Sequence, residues 1–305
     1  MIDTFQIDMR WLLPNESTVD WGHDKTSFTD YLGRRFVAGG GFFNQVSFPL
    51  KDVSEEQLKT YEFPVLSTDR FDYLGDRARD LYEQGYGLGI DGPWGLFEIS
   101  SSLVGMSNYL MDLILNPGLA RKVAERVLEE HLIPFYDQLL ENTHEYVQVV
   151  GISDDLGAQN GLIFSPKIYR DIFKPLHKRL ITHIQKKTSA KIYLHSDGSI
   201  YPLLPDLIDI GVEGLNPVQY TANDMELARL KMEFGKDLGF FGGVVENAVL
   251  SFDSPDEIRG LAQENVSILK KNGGFIFAPI HNISQEVPPE NIVALYETGL
   301  GFGSY

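Results

Sequence analysis

The 305-residue sequence contains no cysteine. Disulfide bonds are therefore excluded, and no thiolate can act as a nucleophile or as a metal ligand. A chain of this length can nevertheless bury a large core without disulfides or structural metals. The absence of cysteine also mildly favours a cytoplasmic location, because disulfides form and persist mainly in secreted proteins.

Basic residues are scarce: 26 lysines and arginines face 43 acidic residues, which gives a formal net charge of -17. A phosphate backbone would be repelled by most of such a surface, so we expect no nucleic-acid partner. Residues 1–16 lack the basic start and apolar run of a signal peptide. No window approaches the roughly 18 apolar residues of a membrane span. The sequence therefore predicts a soluble cytoplasmic protein without a membrane partner.

The sequence shows no linker, low-complexity tract or short repeat that would mark a second domain. We therefore predict one domain over residues 1–305, with an irregular N-terminal part over residues 1–65. From about residue 69, amphipathic helices alternate with short apolar strands. Two of the helices are predicted at about 98–115 and 117–143, the second opened by Asn116 and Pro117.

Alternating strands and helices with short connections are typical of a parallel sheet covered by helices. The glycine clusters do not have the GxGxxG spacing of a dinucleotide-binding sheet. A closed (β/α)8 barrel is therefore favoured over an open doubly wound sheet. Only six strands are clear in this pattern. The other two are expected in the N-terminal part, in FQIDMRWL and NQVSFPL.

Polar side chains follow five successive predicted strands. In such a barrel the C-terminal ends of the strands and the loops after them form the active site. Independent accidents would not all place carboxylates, amides and imidazoles at the same end of the strands. The candidate residues are Asp154, Asp155 and Gln159, then His195 and Asp197, then Asn216 and Gln219, then Glu246, and finally His281.

Each candidate also has a structural alternative. Asp155 could cap the following helix, and Asn216 with Pro217 could form a turn. Histidines near strand ends are often packing residues, and that is our interpretation of the histidines elsewhere in the chain, including His131. The candidates are favoured as a set because they share one rim.

His195 and Asp197 are two residues apart, so they share a face if the strand stays extended. With His281 they could bind zinc or another divalent ion with open positions, since two imidazoles and a carboxylate suit such a metal. Without a metal, the same residues could act as acid and base, with the carboxylate orienting an imidazole. The sequence leaves both alternatives open.

At these motifs the chain resembles the uroporphyrinogen decarboxylase superfamily, which includes decarboxylases of tetrapyrrole synthesis and corrinoid-dependent methyltransferases. The resemblance implies a distorted TIM barrel, and it allows a homodimer because members are often dimeric. The matching stretches are FPLKDVSEEQLKTYEFP, ISDDLGAQNGLIFSPKIYRDIFKPLHKRL, YLHSDGSIYPLLPDLIDIGVEGLNPVQ, FGKDLGFFGGV and FAPIHNISQEVPPENIVALY.

The methyltransferase branch that uses coenzyme M typically binds zinc through a His-x-Cys pair and a later cysteine. The resemblance places His195, Asp197 and His281 at those positions, so zinc would have cysteine-free ligands. True decarboxylases carry an arginine-rich N-terminal motif, R-Q-A-G-R, which this chain lacks. Asp154 and Asp155 resemble pyrrole-binding acids, and Glu246 lies beside Val245, where related members carry an aspartate.

These features lead to three hypotheses. The first is a methyltransferase that moves a methyl group between a small methylated compound and a corrinoid protein, with Asp155, Gln159, Asn216 and Gln219 holding the substrate. The second is a tetrapyrrole decarboxylase, and the third is a non-catalytic corrinoid-binding subunit.

Overall fold

The structure is a computed structural model that describes residues 4–15, 19–22, 25–40 and 42–303. The strands are β1 (Met9–Leu12), β2 (Asp20–Trp21), β3 (Ser27–Thr29), β4 (Arg35–Gly39), β5 (Phe42–Ser47), β6 (Gly87–Asp91), β7 (Val149–Ser153), β8 (Gly157–Ala158), β9 (Gly161–Leu162), β10 (Lys191–His195), β11 (Gly214–Asn216), β12 (Gly239–Phe241) and β13 (Phe275–Ile276). The helices are α1 (Glu55–Thr60), α2 (Leu74–Glu83), α3 (Leu96–Val104), α4 (Met106–Leu115), α5 (Pro117–Val127), α6 (Ile133–Glu141), α7 (Pro166–Ile168), α8 (Lys174–Gln185), α9 (Leu204–Asp209), α10 (Leu227–Phe234), α11 (Asn247–Phe252), α12 (Pro255–Leu269) and α13 (Pro289–Phe302). Among the described residues, none of these helices has both the length and the apolar composition needed to cross a membrane.

The main sheet has seven strands in the order β1-β6-β7-β10-β11-β12-β13. The pairs from β7 to β13 are parallel. Helices separate the successive strands, because parallel neighbours need a crossover connection. This architecture confirms the predicted α/β class and is consistent with a distorted (β/α) barrel.

The N-terminal predictions hold only in part. FQIDMRWL does supply a strand of the main sheet, β1. NQVSFPL does not: β5 pairs antiparallel with β4 in a separate four-stranded sheet, β2-β3-β4-β5. The prediction that residues 1–65 are irregular is therefore wrong for this region. Cross-strand aromatic contacts hold the small sheet together, with the Phe28 ring stacked 4.9 Å from that of Phe36.

Two predicted helices are interrupted. The helix predicted at 98–115 divides into α3 and α4 at Gly105, whose φ of +97° is incompatible with a continuous right-handed helix. The helix predicted at 117–143 contains a π-helical segment, Leu128–Leu132, between α5 and α6. Both sites are changes of backbone geometry within an apolar periodic pattern, so periodicity alone does not reveal them.

The chain divides into two compact units. One unit contains residues 1–10, 149–166 and 191–305, and the other contains residues 11–148 and 167–190. In the first unit, the loop after β12 packs through Val244 and Val245 into a core shared with α12 and α13. The single-domain assignment remains a prediction.

In the second unit, His131 of the π-helical segment is completely buried, as its interpretation as a packing residue requires. Its Nε2 atom lies 3.2 Å from the Tyr31 hydroxyl, and its Nδ1 atom has no hydrogen-bond partner among the described residues. Burial, reinforced by the charges of Arg34 and Arg70, lowers the pKa of His131 from 6.5 to about 4. The ring is therefore neutral in the folded protein at neutral pH.

We predict that His131 makes the fold acid-sensitive. In the unfolded chain this ring takes up a proton below about pH 6.5. In the folded protein it takes up the proton only below about pH 4. Stability is therefore lost as the pH falls through this window, by about 3 kcal/mol in total. Urea denaturation as a function of pH should show a shallower loss for His131→Gln than for the wild type. Equal slopes for the two proteins would contradict the assignment.

Candidate functional site

Five parallel strands of the first unit bring the predicted residues to one edge. The parallel register pairs His195, the last residue of β10, with Ser153 of β7 and with Asn216 of β11. Backbone pairing continues past the strand ends, because the Asp154 amide donates to the His195 carbonyl at 2.9 Å. The Ser196 amide likewise donates to the Asn216 carbonyl at 2.8 Å. The residues that follow these strands therefore lie side by side.

The structure brings His195, Asp197 and His281 together. One ligand atom from each side chain lies within 4.8 Å of the other two. The His281 Nε2 atom is 3.8 Å from Asp197 Oδ2, and the two imidazole rings are 6.2 Å apart between centroids. The His281 side chain is 48% exposed, so it has room to change rotamer. These three residues are the site that we call the His-Asp-His cluster.

Asn216 lies directly beside this cluster. Its Oδ1 atom is 2.7 Å from His195 Nδ1. Its Nδ2 atom donates to the Phe241 carbonyl at the end of β12, at 3.1 Å. The Asn216–Pro217 peptide bond is cis. The polar atoms of Asn216 are thus engaged by the protein itself.

The two neighbouring aspartates have different positions. Asp155 is half-buried, and its Oδ1 atom accepts a hydrogen bond from the Asp197 backbone amide at 2.8 Å. Asp155 therefore holds the loop that carries a member of the His-Asp-His cluster. Asp154 is completely buried, so its side chain is not presented at the surface of the site.

The predicted amide residues form a second layer. Gln219 accepts a hydrogen bond from the Gly198 amide at 2.8 Å, and its own Nε2 donates to Gln159 Oε1 at 3.3 Å. Gln159 is exposed and also donates to the Thr221 carbonyl. Glu246 accepts from the Thr221 hydroxyl at 3.1 Å. Gln159, Gln219 and Glu246 are therefore linked to the site through loop contacts rather than placed within the cluster.

Two supporting residues, Ser196 and Asn247, are not among those predicted from the sequence. Ser196 is buried and its hydroxyl accepts from the Leu156 amide at 3.0 Å, which joins the loops after β7 and β10. Its position between His195 and Asp197 would point it to the opposite face of an extended strand, so this signal was available. Asn247 donates to the Asn282 carbonyl at 2.7 Å beside His281, and no sequence pattern indicates that contact.

Asp197 is in an electrostatically unfavourable place. Burial is the main reason that its pKa is raised, and the charge of Asp155 raises it further. His195 and His281 act in the opposite direction without compensating fully. The carboxylate therefore lacks a sufficient positive partner within the protein.

The loops around the cluster contain no lysine and no arginine. These loops follow β7, β10, β11, β12 and β13, and they span residues 154–165, 196–200, 217–226, 242–246 and 277–288. Asp155, Asp197 and Glu246 are among the acids that they carry. These five loops therefore supply no lysine or arginine to a negatively charged substrate.

Two glycines allow the loops after β7 and β10 to touch through their backbones. A Cβ atom on Gly198 would lie 2.6 Å from the Gly157 carbonyl carbon, and one on Gly157 would lie 2.7 Å from the Asp197 carbonyl oxygen. Gly198 also has a φ of +78°, which disfavours other residues. This close approach fixes the loop in which Asp197 lies.

A parallel α/β sheet with polar side chains at its C-terminal strand ends is the arrangement of the TIM-barrel class. Comparison with protein-family models matches residues 56–299 to the family described as uroporphyrinogen decarboxylase (URO-D). The match covers most of the chain, and the chain therefore belongs to this family. This finding confirms the family resemblance and the barrel class that it implies.

Solved structures of related fold include a methyltransferase from Methanosarcina mazei. It has a TM-score of 0.66 and 18% sequence identity, covering 90% of this chain and 77% of the other. A GH113 β-1,4-mannanase has a TM-score of 0.42 and 12% identity, covering 97% of this chain and 89% of the other. At 18% identity, the likeness to the methyltransferase shows the fold alone. No curated protein sequence matches the chain significantly.

We predict that Gly198→Ala is strongly destabilising. The added Cβ meets backbone atoms that cannot move aside like a side chain, and the backbone is left-handed there. We expect a loss of about 2–5 kcal/mol in the free energy of unfolding, measured by urea denaturation. Gly260→Ala is the control, because Gly260 lies within α12 with open space around it and should gain about 0.5–1 kcal/mol. A Gly198→Ala protein as stable as the wild type would contradict the packing.

We predict that Asp197→Asn stabilises the metal-free protein at neutral pH. A carboxylate whose pKa is raised by folding opposes folding when it is ionised, and this cost disappears as the pH falls and the group becomes protonated. The variant should therefore have a higher melting temperature than the wild type at neutral pH. The difference should shrink in acid. A variant that is less stable at neutral pH would contradict the electrostatic account.

Proposed function

We propose that this protein is a methyltransferase that moves a methyl group between a small O-, N- or S-methyl compound and a corrinoid carried by a partner protein. The observation that carries the proposal is the convergence of His195, Asp197 and His281 at one strand-end edge. Membership of the URO-D family and a fold like that of a methyltransferase support it.

The cluster fits a divalent metal such as zinc. Two imidazoles and one carboxylate are a usual donor set, and three protein ligands leave a position open for a substrate. Ligand atoms around a tetrahedral zinc are about 3.4 Å apart, given bonds of about 2.1 Å. The present separations, up to 4.8 Å, are longer than this value, so metal binding requires the side chains to rotate toward one another. The uncompensated charge of Asp197 also favours a bound cation.

A bound metal would act as a Lewis acid on the methylated heteroatom, which makes that atom a better leaving group. Other residues of the protein would hold the metal-binding loop in position. Asp155 holds the Asp197 loop in place through the Asp197 amide, and Gln219 holds the adjoining Gly198 amide. Gln159 is exposed, and we propose that its amide exchanges its loop contacts with Thr221 and Gln219 for contacts with the substrate.

The charge of the rim favours a small methyl donor over a tetrapyrrole. A porphyrinogen with eight carboxylates needs cationic partners, whereas the five loops around the cluster contain no lysine and no arginine. A neutral or cationic methyl compound meets no such obstacle. The decarboxylase alternative is correspondingly less well supported.

The metal is tested by elemental analysis of the purified protein after incubation with zinc and gel filtration. We expect about one zinc per chain in the wild type and loss of zinc in His195→Ala. His183→Ala is a matched control, because His183 pairs with Asp137 at 2.6 Å in the other unit, outside the cluster. No bound zinc in the wild type, or unchanged zinc in His195→Ala, would remove the proposed role of the metal.

The reaction is tested by incubating the zinc-loaded protein with a panel of small methyl donors and a corrinoid protein that a chemical reductant has brought to the Co(I) state, while the change of the spectrum from Co(I) to methyl-Co(III) is recorded. We expect methylation of the corrinoid with at least one donor and loss of turnover in His195→Ala. Conversion of uroporphyrinogen to coproporphyrinogen would instead establish the decarboxylase. Corrinoid-protein binding that survives loss of both histidines, with no turnover, would establish the non-catalytic subunit.

A further inference from the structure

We propose that Asn216 is a positioning residue that sets the tautomer and the ring orientation of His195. Asn216 was expected among the substrate-binding residues, but its two polar ends are directed at the protein. One end faces the imidazole of His195 and the other faces the backbone of the next strand. The inference extends the proposed function, because it concerns how one residue of the cluster is prepared to bind.

The partners of the Asn216 side chain determine which end is oxygen. The Phe241 backbone oxygen is 3.1 Å from one end of the amide, and a carbonyl oxygen can only accept. That end must therefore be the NH₂ group. The other end is then an oxygen, which can only accept from the ring atom 2.7 Å away.

It follows that His195 carries its proton on Nδ1. In a neutral imidazole the second nitrogen, Nε2, then has a lone pair and no proton. Nε2 is thus left as the atom able to bind a metal or accept a proton. Without the amide oxygen, both tautomers of the ring would be populated and the ring could rotate.

The position of Asn216 is itself fixed by the sheet. His195 and Asn216 are register partners in the β10–β11 ladder, so the two side chains leave adjacent strands at the same level. Gly242 follows Phe241 and lies beside the Asn216 amide, since a Cβ built on it would be 3.7 Å from Asn216 Nδ2. The same Cβ would be 2.7 Å from the carbonyl oxygen of Pro279, two residues before His281. Gly242 therefore lies next to both the Asn216 amide and the loop that carries His281.

The test is a measurement of the His195 tautomer in the metal-free protein. Protein labelled with ¹⁵N-histidine is studied by long-range ¹H–¹⁵N NMR at about pH 8, where imidazoles are neutral. The His195 signals are assigned by their absence in His195→Gln. We expect the wild type to have a protonated Nδ1 and an unprotonated Nε2. A wild-type spectrum with the proton on Nε2 would overturn the proposal.

Variants separate positioning from a merely structural role. Asn216→Leu should give a mixed or Nε2-protonated ring, whereas Asn216→Asp should keep the wild-type tautomer because its carboxylate still accepts from Nδ1. Asn265→Leu is the control: Asn265 is a buried amide that donates to the Val244 carbonyl at 2.8 Å rather than to a histidine. A wild-type tautomer in Asn216→Leu, or an altered one in Asn265→Leu, would overturn the proposal.

Zinc affinity, measured by calorimetry with Zn²⁺ alone, is the second readout. Loss of a partner that orients a metal-binding histidine typically weakens binding about 10–100-fold, and we expect this for Asn216→Leu. Asn216→Asp should bind zinc more tightly than Asn216→Leu, and Asn265→Leu should match the wild type. Equal affinities for the wild type and Asn216→Leu would overturn the effect on the metal. The tautomer measurement needs no metal, so it remains informative if the proposed methyl transfer fails.

Discussion

The candidate site depends on the register of the parallel strands. Because β10 pairs with β7 on one side and with β11 on the other, His195 is level with both neighbouring strand ends. Backbone hydrogen bonds from Asp154 and Ser196 carry the pairing beyond the strands. A slip of one residue would turn His195 to the other face of the sheet and separate it from Asn216 and His281. The placement of the site residues therefore rests on backbone pairing between the strands.

The second feature of this edge of the sheet is its negative charge. The loops carry acids without lysine or arginine, and Asp197 is ionised only at a cost that its own histidines do not remove. Such a site is unfavourable in isolation and becomes favourable when a cation binds. The instability and the proposed function are thus two consequences of the same charge distribution. The fold holds the cluster side chains near one another before a ligand binds, as is usual for pre-organised binding sites.

The sequence predicts which polar residues lie close together at the strand ends. Polar residues at the ends of apolar strands are a local signal, and the structure does bring His195, Asp197 and His281 together. The partner of His195 could not be predicted, because the orientation of the Asn216 amide depends on a carbonyl of β12 that is distant in sequence. Asp154 and Asp155 are adjacent letters, yet only the structure shows that Asp154 is buried.

The difference between local sequence patterns and three-dimensional contacts also explains why parts of the fold were predicted wrongly. The antiparallel sheet of β2 to β5 has strands of 2 to 6 residues, which are too short for hydrophobic periodicity to reveal reliably. The break between α3 and α4 comes from one glycine with a positive φ inside an otherwise regular pattern. Periodicity reports which face of an element is buried, but it does not report such changes in backbone direction.

We propose that His195, Asp197 and His281 together bind one divalent ion. Anomalous X-ray diffraction at the zinc absorption edge, with crystals of the zinc-loaded protein, locates such an ion. We expect one strong peak about 2.0–2.2 Å from His195 Nε2, from an Asp197 carboxylate oxygen and from a His281 ring nitrogen. A zinc peak bound to other residues, or no peak at this cluster under saturating zinc, would contradict it.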